Sequence, residues 1–294
     1  MRRKYRIFLS STSFPFSVFS KEVNISVLDK ISGIEFSGGY GYVEENEVEK
    51  FLDGFCKNSS ILIHNYFPVQ KESFILNFCS SNIEIIEKSL NLTMKTVCLC
   101  ERYNVPYYSF HPGYLSDGEE QADGHFLFDK ENGVSYDRAL DNFFVNFDVL
   151  YKFAESRNVG LLIENLFLRP GGVRTSINCS FDEIDFIISS LPDDVGLLID
   201  LGHLNIVSYY LNINRDEFID KLFIKYEDKI REIHLSGNDG TFDHHLPLVE
   251  NDWQLSVLNR YILNKEINIT LESRNLDDDI LLSNINLIEN AIYK

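Results

Sequence analysis

The chain has 294 residues and a formal net charge of −18, from 45 Asp and Glu against 27 Lys and Arg. That length suits one large domain or two small ones, and 44% hydrophobic with 13% aromatic residues supplies a sizeable core, which excludes a disordered chain. The acidic balance excludes a protein that grips nucleic acid mainly through charge.

Short, continuous apolar runs recur along the chain, the pattern of strands covered on both faces. The first is Arg6–Ser10, followed by Gly33–Phe36 and Ile61–His64. Ile83, Ile86, Leu90, Met94 and Val97 then step by three and four, as one face of a helix does, before the fourth run, Val105–His111. Residues 112–133 form the one long irregular stretch, rich in Gly, Asp and Glu, and read as either a lid over a site or an ordinary surface insertion. Leu140, Phe143, Phe144, Phe147 and Leu150 mark a second helix, followed by the run Val159–Glu164. Ser180 and Glu183 have capping-box spacing and open a helix with Ile184, Ile187, Ile188 and Leu191 on one face. Val195–Asp200 follows; then Phe218, Leu222 and Tyr226 mark a helix, before the last two runs, Ile230–Leu235 and Ile267–Glu272. Eight strand–helix units in one uninterrupted domain, residues 1–294, predict a closed (β/α)8 barrel of the TIM type. The rival, a doubly wound open sheet, usually carries a glycine-rich phosphate loop after its first strand. Here that position reads Ser10–Ser13.

Polar residues gather at the C-terminal end of these runs: Glu35, His64, His111, Glu164 with Asn165, Asp200 with His203, His234 with Asp243, His244 and His245 downstream, and Glu272. In a barrel these ends converge on one mouth. Taken singly each residue has a plain structural reading; a histidine at a strand end is usually a hydrogen-bonded scaffold group, and Asp200 could simply cap the following helix. Together they do not, because six of the seven histidines lie in these segments (His125, in the irregular stretch, is the exception) and few basic residues are placed to neutralise the carboxylates. Arg274 is the nearest. Burying such carboxylates unpaired is costly, and a divalent cation removes the cost. Mixed carboxylate and imidazole ligands suit Mn²⁺, Co²⁺, Fe²⁺ or Zn²⁺.

These segments resemble the xylose-isomerase-like TIM barrels, a superfamily of sugar isomerases, ketose epimerases and the endonuclease IV type of apurinic-site nuclease. The carriers of the resemblance are Ile34-Glu35, Ile63-His64, Phe110-His111-Pro112-Gly113, Ile163-Glu164-Asn165, Asp200-Leu201-Gly202-His203, Ile233-His234-Leu235, Asp243-His244-His245-Leu246-Pro247-Leu248 and Leu271-Glu272. The epimerase branch implies one metal held by Glu164, Asp200, His234 and Glu272, with His203 touching substrate. The endonuclease IV branch implies three zinc ions, and all nine of its ligands have a match in His64, His111, Glu164, Asp200, His203, His234, Asp243, His245 and Glu272. The form of the sixth- and seventh-strand motifs, together with the net charge of −18, favours the epimerase side.

The resemblance therefore implies a metal-dependent isomerase or epimerase of a small sugar or sugar phosphate. Glu164 and Glu272 would move a proton through an enediolate, and His203 would hydrogen-bond a substrate oxygen. One tight Mn²⁺, Co²⁺ or Zn²⁺ site is expected, with His64, His111, His203, Asp243 and His245 as additional metal or substrate ligands for up to three ions. Glu35, Asn165 and Arg274 are expected at the substrate, and Arg169, Arg174 and Arg274 are candidates to hold an anionic group. The alternative activity is metal-assisted hydrolysis of a phosphodiester. Nucleic acid is not the expected partner, and a homo-oligomer is left open. Cys56, Cys79, Cys98, Cys100 and Cys179 are odd in number and contain no C-x-x-C pair, so they read as reduced thiols of a cytoplasmic protein. The apolar N-terminal run is broken early by Ser10–Ser13, unlike a signal peptide, and no stretch reaches the ~18 apolar residues of a membrane span.

Overall fold

The computed structural model describes residues 6–14, 25–38, 41–120, 126–128, 133–262 and 265–293. Eight parallel strands close into a barrel: β1 (Arg6–Ser10), β2 (Gly33–Phe36), β3 (Ser60–His64), β4 (Tyr107–Phe110), β5 (Gly160–Glu164), β6 (Gly196–Asp200), β7 (Ile230–Leu235) and β8 (Asn268–Leu271). Closure is made by β1 on β8, with Leu9 opposite Leu271. The predicted runs sit within a residue or two of these strands. The largest shift is at the fourth, where Pro106 has no N–H to give to a ladder and the N–H of Val105 caps the preceding helix at the Cys100 carbonyl.

The helices follow the predicted periodicities, over Ile83–Tyr103, Tyr136–Glu155, Phe181–Ser189 and Arg215–Lys225. Both halves of the capping box are formed at Ser180 and Glu183. Their apolar faces and the outward strand residues make one core, from Leu9 and Ile63 to Ile163, Ile199, Ile233 and Ile269. The sequence at 112–133 contains a two-residue antiparallel pairing, Glu119–Glu120 with Phe126–Leu127. His125 lies outside the described residues. All five cysteines are free thiols, three of them (Cys79, Cys100 and Cys179) buried. Among the described residues no helix is long and apolar enough to cross a membrane.

Side chains of alternate parity point into the barrel. Two glycines make room for them. A Cβ at Gly33 would lie 1.7 Å from the Ser60 carbonyl oxygen, and one at Gly196 would lie 2.6 Å from Leu162. The inward residues at or just beyond the ends of several strands face the C-terminal mouth, and most of the predicted polar residues lie there.

Candidate metal centre

Glu164 closes β5 and stands at the middle of the mouth. Its Oε2 lies 2.9 Å from His111 Nε2 and 3.2 Å from His64 Nε2, and its Oε1 lies 3.1 Å from His203 Nδ1. Asp200 closes β6 and caps the helix Leu201–Leu211, its Oδ1 accepting from the His203 N–H at 2.6 Å. The capping role is thus real, but it occupies one oxygen only. His234 comes from β7 and presents Nδ1 to Glu272 Oε2 at 3.4 Å. Asp243 and His245, from the loop after β7, complete the group: Asp243 Oδ2 is 2.7 Å from His245 Nε2 and 3.6 Å from His203 Nε2.

Each of the five histidines is held from behind. His64 Nδ1 is 3.0 Å from Ser109 Oγ, His111 Nδ1 is 2.7 Å from Tyr114 Oη, and His234 Nε2 is 3.1 Å from Glu35 Oε2. His203 and His245 place Nδ1 2.9 Å and 3.1 Å from the carbonyls of Asn165 and Glu272. A carbonyl only accepts, so these two rings carry a proton on Nδ1 and turn Nε2 toward Asp243. This is how metal-binding imidazoles are oriented: the far nitrogen is fixed and the near lone pair is left for a cation.

The centre has no lysine or arginine of its own. Among the described residues no Lys or Arg nitrogen lies within ion-pair distance of Glu35, Glu164, Asp200, Glu232, Asp243 or Glu272; their partners are histidines. Burial drives Asp200 up to about 6, helped by Glu164 and Glu272 and opposed by His203. Burial also opposes ionisation of Glu164, yet His111 and His64 outweigh it and hold that carboxyl well below its usual range. Asp243 is likewise held low against burial, by His245 and His203. Burial lowers His111 below an ordinary histidine. The neighbouring carboxylates overcome burial at His203, His234 and His245 and raise all three.

Several buried atoms have no hydrogen-bond partner: Glu164 Oε2, Asp200 Oδ2, Asp243 Oδ1 and His234 Nδ1. Glu164 Oε2 is close to two imidazole nitrogens without hydrogen-bond geometry to either, as expected of ligands arranged around a common ion rather than of donor and acceptor. Ligand atoms of His64, His111 and Glu164 lie within 4.8 Å of one another, as do those of Glu164, Asp200 and His203, and of Asp200, His234 and Glu272. Oxygen and imidazole donors in groups of three, with unsatisfied lone pairs, fit divalent Mn, Co, Fe or Zn. A divalent ion there would supply positive charge and Lewis acidity.

Not every predicted site residue reaches the mouth. Asn165 commits its amide to the backbone of Asp200, donating to the carbonyl at 3.0 Å and accepting from the N–H at 2.8 Å. It is therefore a clamp between β5 and β6 rather than a substrate contact. Glu35 is fully buried beneath His234 and supports that ring instead of facing the opening. Arg274 is exposed on the rim beside His245. His244 is partly exposed and faces Asp239 at 3.7 Å, outside the centre. Sequence reasoning missed Glu232, which is fully buried, 3.8 Å from His234 Nε2 and accepts from Thr270 Oγ1 at 2.7 Å. The signal was present: Glu232 is two residues before His234 on one strand and so shares its inward face.

Residues 32–277 match the family described as xylose isomerase-like TIM barrel. The chain belongs to this family. Among curated relatives, a probable endonuclease 4 of Thermoplasma volcanium is 27% identical over 183 residues, 61% of this chain. The chain spans about half (53%) of that relative's length. Among solved structures, a D-tagatose 3-epimerase-like protein superposes with a TM-score of 0.72 at 19% identity, covering 98% of this chain and 97% of the other. Endonuclease IV from Thermus thermophilus gives 0.57 at 16% identity, covering 98% of each. The fold is thus shared by epimerases and by endonuclease IV, enzymes with different reactions.

Proposed function

We propose that the protein is a divalent-metal-dependent isomerase or epimerase of a small, sugar-like substrate. The observation that carries this reading is the buried set Glu164, Asp200, His234 and Glu272, whose ligand atoms converge with no Lys or Arg among the described residues to receive them. When bound, the ion would hold neighbouring substrate oxygens and polarise a carbonyl. Glu164 and Glu272 come from β5 and β8, three strands apart around the barrel. From these positions one carboxylate removes a carbon-bound proton and the other returns it. His203, stacked on Phe167 with ring centroids 4.5 Å apart, hydrogen-bonds a substrate oxygen. A small substrate fits the net charge of −18, which repels a polyanion.

A second reading has its own observation. His64 and His111 converge on Glu164 Oε2 as a further ligand group, and a centre of two or more metals suits hydrolysis of a phosphoester. One set of measurements separates the two: metal content of purified protein, deuterium uptake from D₂O into a panel of ketoses, aldoses and their phosphates, and nicking of an abasic oligonucleotide at low salt. The isomerase reading expects deuterium at carbon and no nicking. Conversion of a true substrate without solvent exchange would remove the enediolate step, and efficient nicking with three metals per chain would replace this reading by the hydrolase reading.

A further inference from the structure

Three arginines near the mouth are candidates for recognising an anion, and the structure separates them. Arg174 is ion-paired with Glu183, which also accepts from the N–H groups of Cys179 and Ser180. Arg274 is exposed to water on the rim, where a lone pairing is worth little. Arg169 differs from both. It begins a tight turn after β5, in which Arg169 and Val173 exchange backbone hydrogen bonds of 2.9 and 3.1 Å across Gly171 and Gly172. Those two glycines have φ of 78° and 72°, which other residues rarely adopt.

The guanidinium carbon of Arg169 lies 4.7 Å from the ring centre of Phe128 and 5.5 Å from that of Phe167. Phe167 stacks on His203, and Phe128 packs 4.9 Å from Tyr114, whose hydroxyl meets His111 Nδ1 at 2.7 Å. Arg169 is thus joined through two rings to two sides of the metal centre. Among the described residues no carboxylate lies within ion-pair distance of it. Aromatic faces take up the flat side of a guanidinium and leave its in-plane N–H fork free, the geometry that receives a phosphate or carboxylate. A cation held this way in a strongly acidic protein, beside a centre of carboxylates, has no internal anion to serve.

We propose that Arg169, seated on Phe128 and Phe167, is the anion-binding subsite of this mouth, and that the substrate is a small sugar-like molecule carrying a phosphate or carboxylate. The inference rests on the small-substrate reading above and narrows it. A negatively charged end would be fixed at Arg169 while the hydroxyl and carbonyl end reaches Glu164 and Glu272.

The test is calorimetric titration of Mn²⁺-loaded protein with fructose, fructose 6-phosphate, the corresponding keto-uronate and inorganic phosphate. One of the two anionic sugars is expected to bind at least tenfold more tightly than fructose, and which one does so identifies phosphate or carboxylate as the group read. Arg169→Met keeps the apolar packing on the rings and is expected to abolish the difference without changing metal content, while Arg169→Lys restores part of it. Equal affinity for neutral and anionic sugars, or a preference retained in full by soluble Arg169→Met, overturns the proposal. If no sugar binds, the small-sugar reading fails and the phosphate titration decides the subsite by itself. Phosphate binding lost in the variants upholds the anion site, and absent or unaltered phosphate binding overturns it.

Discussion

The mouth and the floor of this barrel are both buried, both polar and built on the same eight strands, yet they handle their polar groups in opposite ways. At the floor most of the described side chains bond one another, and only one oxygen each of Glu35 and Glu232 is left without a partner. Asn268 donates to Tyr107 Oη at 2.5 Å, and Thr270 donates to Glu232 Oε1 at 2.7 Å. Burial, opposed by His234 and aided by Glu232, raises Glu35 well above an ordinary carboxyl. One layer higher, donors run out. Four carboxylates, Glu164, Asp200, Asp243 and Glu272, and five histidines face each other, and the atoms left without partners point at one another. A polar layer that closes on itself is scaffold; one that remains open in the same way from several strands is a binding site.

The sharpest way to break this contrast is Glu164→Gln. A single carboxylate meets His64, His111 and His203, so its loss removes a ligand from more than one group. Metal affinity is expected to fall by about 100-fold or more, the upper end of what even supporting residues cost, read as metal per chain by mass spectrometry. Unchanged metal content in a folded variant would mean that the convergence at the mouth is not a metal site.

Chelation sharpens the comparison through pH. Metal present at about 100 times its dissociation constant stabilises a fold by about 2.7 kcal/mol, so EDTA is expected to lower the melting temperature and Mn²⁺, Co²⁺ or Zn²⁺ to restore it. In the metal-free protein, His203, His234 and His245 have raised values. Their contribution is complete below the ordinary 6.5 and is lost as pH rises through the raised values. Asp200, raised to about 6, likewise favours folding when protonated, an advantage lost between about 3.8 and 6. Glu164 and Asp243 act the other way, since their lowered values give stability above the ordinary range that is lost as pH falls. The drop caused by EDTA is therefore expected to be larger at pH 8 than at pH 5.5, because above 6.5 the stability that the raised histidines give the metal-free fold is being lost while the loaded centre needs no protons there. A drop that shrinks from pH 5.5 to pH 8 would contradict this assignment.

The smallest effects test the floor against the outer surface. Thr270→Val leaves the buried Glu232 without its donor, expected to cost about 1–3 kcal/mol in a denaturant titration. Asp148→Asn removes the exposed Lys152 partner on an outer helix and is expected to cost about 0.5 kcal/mol or less. Equal costs would mean that the floor is not the closed network described.

Much of this was legible locally. A continuous apolar run ending in Glu, Asp or His, as five of the eight do, is a strand whose tip is polar, and eight apolar runs separated by helical periodicities allow few architectures besides a barrel. The residue types at those tips, with so few cations among them, pointed to a divalent ion. These inferences use only neighbours in sequence, and the chain determined them by itself. What the tertiary structure decided are relations that exist only after closure. Glu35 meets Glu232 and His234 across nearly 200 residues of sequence. The amide of Asn165 is consumed by the Asp200 backbone, which turns an expected substrate contact into a clamp. Arg169, Arg174 and Arg274 are alike in a sequence, and only packing shows one neutralised by Glu183, one left in water and one laid on two aromatic rings. The physical reason is that periodicity fixes which way a side chain points relative to its own strand. The partner it meets there, and hence its charge and hydrogen bonding, is fixed by strands that come together only when β1 pairs with β8.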